Sequence, residues 1–217
     1  MGYWGYFVVG RAERPLAELE ALSGAADMTL RQSAPDGWQV WEFAGGDGDV
    51  GNMNDLAGQT GAPALFGYVM DSDCVVVEAA APDSGAWTTC LARTAMAGYL
   101  GAERDGLTLE DYFLEPRDAA ERAVAWAAEA GRVASAGELA EVLSDDPAAA
   151  ADGAPDAERG AEGDTDLDTD LDTDLDTDLD TGRVTGRVTD LGVGHGDGPV
   201  AETLFFRFLD RLGVVPL

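Results

Sequence analysis

Residues 3–10, YWGYFVVG, form an aromatic and β-branched run that predicts a first strand. Leu16, Leu19 and Leu22 then recur along one stripe between Pro15, suited to a first helical position, and Gly24. That spacing predicts a short helix. WQVWEF at 38–43 alternates, with Trp38, Val40 and Glu42 facing one way and Gln39, Trp41 and Phe43 the other. This is the period-2 pattern of a strand. The Gly-rich run GGDGD at 45–49 predicts a loop, after which Val50, Met53, Leu56 and Ala57 share a helical face ending near Gly61.

Two strand-like runs follow, APALFGYVM at 62–70 and CVVVEAA at 74–80, with Asp71-Ser72-Asp73 between them. A short polar connector between two such runs predicts a hairpin, although no Gly is there to favour a primed turn. WTTCL at 87–91 predicts a third strand beside it. Residues 117–130 read as a helix that Pro116 begins and Gly131 ends. Ser135 and Glu138 fit a capping box opening a shorter helix with Leu139, Val142 and Leu143 on its apolar face. The order β-α-β-α-β-β-β, then helices, predicts an α+β fold: a mainly antiparallel sheet with helices packed on it.

Hydrophobicity falls away from Ser144 to Pro199 and returns in VAETLFFRFLDRLG at 200–213. Leu204, Phe205, Phe208, Leu209 and Leu212 make one wide apolar face there, and Gly213 stops the helix. Such a face must be buried. The expected organisation is an α+β domain over 1–144, completed by the amphipathic helix in 200–217. Residues 145–199 between them are expected to be a disordered, Asp-rich linker.

Within that linker, residues 164–181 hold four copies of Asp-Thr-Asp-Leu and part of a fifth. In a helix the leucines would drift by about 40° per copy, and Asp would face Asp at i, i+4 throughout. In a strand every Asp would share one face. A coil separates and hydrates the carboxylates, and so little apolar surface cannot offset the entropy of ordering. A calcium reading suffers because the repeat has no turn Gly and no closing Glu. Same-face carboxylates of a strand would also stand about 6.6–6.8 Å apart. The remaining possibility is weak cation binding. The loop at 47–55 fails similarly, with Gly51 and Gly58 at ligand positions. GRVTGRVT at 182–189, a second tandem repeat beside the first, supports a tolerated spacer.

Charge adds one constraint. The 217 residues carry 42 acidic and 13 basic side chains, for a net −29. Residues 145–199 hold 17 acidic and 3 basic residues, and the other 162 residues still carry −15. Acidity is therefore a property of the whole chain. It disfavours nucleic acid and anionic lipid surfaces, which require Lys and Arg, and favours a basic protein as partner. All basic residues are Arg, so lysine chemistry is excluded. Cys74 and Cys90 are too few for a disulfide framework. The N-terminal run lacks a basic n-region and no stretch spans a membrane, so the cytoplasm is the expected compartment.

Candidate chemistry is sparse. His195 is the only histidine and is flanked by glycines without an orienting partner. No metal-ligand cluster, cofactor motif or catalytic constellation stands out, and GGDGDVG departs from G-x-G-x-x-G. The best interaction candidates are Asp71, Asp73 and Glu78 on the predicted hairpin, with Trp87 as the candidate aromatic anchor. The segments GYFVV with RPLAEL, GAPALFGYVMDSDCVVVEAA and AETLFFRFLDRLG together resemble uncharacterised proteins from GC-rich actinobacteria. The resemblance covers 1–144 and 200–217 and implies no activity. The expected role is a non-enzymatic acidic protein-binding module, immunity-like in form, for a basic partner. A carboxylate-dependent hydrolase or transferase and a weak calcium binder through the repeat are the alternatives.

Overall fold

The computed structural model describes residues 2–45, 49–100, 106–146 and 201–216. The Asp-Thr-Asp-Leu repeat, the second tandem repeat, His195 and Asp47 lie outside the described residues. The strands are β1 (Gly5–Arg11), β2 (Thr29–Ser33), β3 (Trp38–Ala44), β4 (Ala64–Met70), β5 (Cys74–Ala81) and β6 (Gly85–Leu91). The helices are α1 (Met53–Thr60), α2 (Arg93–Leu100), α3 (Pro116–Glu129), α4 (Ala136–Ser144) and α5 (Ala201–Arg211). The strands form one six-stranded sheet in the order β2-β3-β1-β4-β5-β6. Every neighbouring pair is antiparallel, so the fold is α+β.

Alternation divides β1, β3, β4 and β5 between two layers. Phe7 and Val9 of β1, Trp38 and Val40 of β3, and Leu65 and Val69 of β4 join one core with Trp126, Leu139, Leu143, Leu204, Phe205 and Phe208. Val8, Ala64, Phe66 and Ala80 point the other way, onto Leu16, Leu22, Met53 and Leu56. Helices α3, α4 and α5 thus cover one face, while α1 and the segment before β2 cover part of the other. The apolar face read along the final segment is buried against this same chain: Leu204, Phe205, Phe208, Leu209 and Leu212 are all fully enclosed.

Two close approaches fix the layers. Gly67 on β4 has no side chain because Phe205 occupies that space; a Cβ there would meet the ring at 2.5 Å. The face of α3 toward the sheet is Ala119, Ala120, Ala123 and Ala127, which lets the helix come near, and Trp126 fills what remains. The Trp126 indole donates to the carbonyls of Ala64 at 3.2 Å and Ala80 at 3.0 Å, one on each strand of the β4–β5 pair.

Both sheet edges are guarded. Along β6, Leu114 N–H donates to the Thr88 carbonyl at 3.0 Å, closing part of that edge. The β2 edge is short and mostly exposed, and its register shifts between Leu30 and Gln32. Arg31, between them, is ion-paired to Glu42 on β3 at 3.2 Å.

The leucine stripe after β1 folds as two 3-10 turns, Leu16–Glu18 and Glu20–Leu22, rather than as an α-helix. A spacing of three matches 3.0 residues per turn, and Leu19 is extended between the turns. All three leucines are buried. Strand β2 and helix α2 have no counterpart in the sequence reading. The sequence TLRQS carries no apolar alternation, and α2 buries Met96 alone.

Candidate interaction site at the hairpin tip and the aromatic face

The predicted hairpin is β4–β5, and its connector is the turn Asp71-Ser72-Asp73. Asp73 N–H donates to the Met70 carbonyl at 2.9 Å. Asp71 and Ser72 both have positive φ, 51° and 58°. This is the primed geometry that the twist of a hairpin favours, adopted here without glycine. A serine in the left-handed region is strained by about 1–2 kcal/mol. The turn is held from several directions. Gly2 N–H donates to Asp71 Oδ1 at 2.6 Å, Tyr3 N–H to Ser72 Oγ at 2.8 Å, and Ser72 N–H to the Tyr3 carbonyl at 3.0 Å. Ser72 Oγ donates to Glu202 Oε1 at 2.7 Å, and Ala201 N–H donates to the Ser72 carbonyl at 3.1 Å. At about 1 kcal/mol each these hydrogen bonds outweigh the strain.

Asp71 and Asp73 therefore share the hairpin tip. Glu78 and Trp87 do not. Trp87 lies directly opposite Ala79 across the β5–β6 pair, so Glu78, one residue away, faces the other side of the sheet. Glu78 accepts from Met53 N–H at 3.2 Å, where its charge complements the start of α1. Trp87 is a core residue, 5% exposed, edge-on to Phe208. It presents no surface to a partner.

What sequence reasoning missed is an aromatic face on the side of the sheet that α1 only partly covers. Register makes it: Tyr6 on β1 is opposite Phe43 on β3 and Tyr68 on β4. Tyr6 and Tyr68 stack with centroids 4.3 Å apart. Trp4 continues the row, edge-on to Tyr68 at 6.3 Å and to Tyr99 of α2 at 6.0 Å. Trp4 is 39% exposed and Tyr99 43%. Carboxylates stand at both ends. Tyr99 OH donates to Asp73 Oδ2 at 3.1 Å, and Asp49 lies close enough to act on Tyr6. Desolvation, the bond to Asp73 and the charges of Asp73 and Asp71 push the Tyr99 phenol up to about 12. Desolvation first, then Tyr68 and Asp49, raise Tyr6.

Two other polar clusters serve the fold. Arg93 is ion-paired to Glu110 at 2.6 Å and donates to the Leu114 carbonyl at 3.2 Å. Hydrogen bonds within its own residue and from Thr108, with Arg93 adding, hold Glu110 below the usual carboxylate range. Burial would raise Glu129, but hydrogen bonds from Ser84 and Asp83 outweigh it and hold that group low. Both shifts run opposite to that of a carboxyl kept protonated as a general acid. A depression of ≈ 300 Å³ beside β6, lined by Glu110, Tyr112 and Arg122 among others, is open to solvent.

Cys74 and Cys90 are free buried thiols, pushed up by burial to about 12 and about 11. Among the described residues no group of three or more His, Cys, Asp or Glu is placed to hold a metal ion. Among the same residues no helix is long and apolar enough to cross a membrane. No family model, no curated protein and no solved structure matches this chain.

Proposed function

We propose that this protein is a non-enzymatic, acidic protein-binding module that engages a basic partner, in the manner of an immunity protein covering a basic surface. The observation that carries the reading is how the positive charge is disposed. Arg31, Arg93, Arg117, Arg132, Arg207 and Arg211 each stand within ion-pair distance of a carboxylate of the same chain. In each pair a carboxylate of the same chain offsets the arginine's charge locally. The surplus carboxylates then set the outward field, and outside residues 145–199 that surplus is still −15. Such a field speeds encounter with a cationic surface and opposes association with anionic ones.

The test is retention of proteins on the immobilised full chain, eluted with rising salt and sorted by isoelectric point. Retained proteins should be basic, and each purified one should bind with an affinity that falls steeply with ionic strength. Failure to hold any basic protein at low salt overturns the reading.

A further inference from the structure

The row of rings from Tyr99 through Trp4 and Tyr68 to Tyr6 is a sheet face left partly open to water, and two properties select what covers it. Exposed aromatic rings that touch one another are where interface energy concentrates, Trp and Tyr above all. Ring faces also carry negative potential and attract cations. Here that potential is reinforced, because Asp73 accepts from Tyr99, Asp71 stands beside it at the hairpin tip and Asp49 acts on Tyr6 at the far end. An uncharged apolar segment would gain from the rings but leave these carboxylates partly dehydrated without a counter-charge. A second copy of this chain would bring more carboxylates to them. A guanidinium satisfies both requirements: it is planar, stacks on aromatic faces and hydrogen-bonds carboxylates in a fork.

We infer that the face formed by Trp4, Tyr6, Tyr68 and Tyr99, rimmed by Asp49 and Asp73, is the docking site for an arginine-bearing segment of a basic protein partner. This rests on the acidic-module reading and gives it a location. Trp4 is the anchor, since it links Tyr68 to Tyr99 and is itself well exposed. Asp73 is held in place by the Tyr99 hydroxyl and supplies the fixed negative charge.

The experiment titrates the full chain with hexa-arginine, hexa-lysine and hexa-citrulline by calorimetry, at low and at moderate salt. The indole N–H resonances are followed in parallel. Hexa-arginine should bind more tightly than hexa-lysine, hexa-citrulline should not bind, and the Trp4 indole signal should move most. Trp4→Ala should weaken hexa-arginine binding by about two- to thirtyfold. Tyr99→Ala should act in the same direction, and Tyr99→Phe, which keeps the ring but releases Asp73, should weaken binding less than Tyr99→Ala. Asp73→Asn should flatten the salt dependence. Glu141→Gln, on the exposed side of α4, is the control.

If hexa-arginine binds but Trp4→Ala and Glu141→Gln behave alike, the location is wrong and the acidic-module reading survives. If no cationic peptide binds at low salt, both fail. Binding of hexa-citrulline as tight as that of hexa-arginine, or a dimer that Trp4→Ala converts to monomer, also overturns the site.

Discussion

Ser72 and Glu202, 130 positions apart in the chain, are joined by a 2.7 Å hydrogen bond from the serine hydroxyl to the carboxylate. The same hydroxyl accepts from Tyr3 N–H, so one side chain ties the segment before β1, the β4–β5 turn and the first turn of α5. Ser72→Ala removes both bonds, leaves a partly buried N–H without its acceptor and keeps the positive φ. It should destabilise the protein by about 2 kcal/mol. Ser72→Gly should lose less, because glycine adopts that φ freely. Urea unfolding of the two variants measures the difference. Equal stability of Ser72→Ala and the parent would show that the knot does not matter.

The space that Gly67 leaves for Phe205 makes a second prediction. Phe205 is fully buried and packed among rings, including Phe7 at 6.1 Å, and has nowhere to retreat. Gly67→Ala should therefore lower stability by about 1–3 kcal/mol, although alanine suits a strand better than glycine. Adding Phe205→Leu should recover part of the loss, since the two sites are in contact and their effects are not additive. A double-mutant cycle by thermal melting reads this directly.

Trp126 is asked to do two things, filling space under the sheet and donating to two carbonyls. Trp126→Phe retains much of the volume and removes the donor. A loss of about 2–4 kcal/mol is expected from the smaller ring and the lost indole donor together. Hydrogen exchange should quicken in β4 and β5 near Ala64 and Ala80. Unchanged exchange there would mean that the indole bonds contribute nothing.

Alkaline pH should weaken the fold. Cys74 and Cys90 have folded values near 12 and 11, raised by burial above those of an exposed thiol. Their contribution is complete below the unfolded thiol value and disappears as pH climbs through the folded values, because the unfolded chain surrenders its protons first. Burial raises Tyr3 as well, which acts with the same sign. Melting temperature should fall between pH 9 and 11, and the fall should be shallower in a Cys74→Ala, Cys90→Ala double variant. A parallel pH dependence for both proteins would remove the thiols from the account.

Replacing residues 147–199 with a Gly/Ser linker of about 13 residues tests the coil expected from composition. Each halving of a flexible loop lowers its closure entropy by about 0.6 kcal/mol, so two halvings should raise stability by about 1 kcal/mol. The melting temperature should rise by about 2–4 °C. A collapse of the fold on excision would mean that the segment holds the domain together.

The residues that made the fold legible are those with one job. Leu204, Phe205, Phe208 and Leu209 declare a helix with a single apolar face, and the alternation in WQVWEF declares a strand. Gly61, Gly131 and Gly213, each with positive φ beyond a helix, are equally readable as stops. Residues with cross-chain roles were not readable. Nothing in the sequence around Gly67 mentions Phe205. Nothing around Trp87 says that its neighbours are helical rings rather than solvent. The aromatic face was hidden because it depends on β1 lying between β3 and β4, which brings Phe43, Tyr6 and Tyr68 side by side. Each of those residues, taken alone, reads as core.

The shifted register of β2 has a consequence for behaviour at high concentration. Sheets polymerise when a long flat border offers its amides to another molecule, and Arg31 in the middle of this short, irregular border works against that. With the opposite border partly occupied by the segment around Leu114, the molecule gives fibre growth little to seed upon. Edge-to-edge growth through these two borders should stay disfavoured in concentrated solution even where added salt silences the repulsion among its carboxylates.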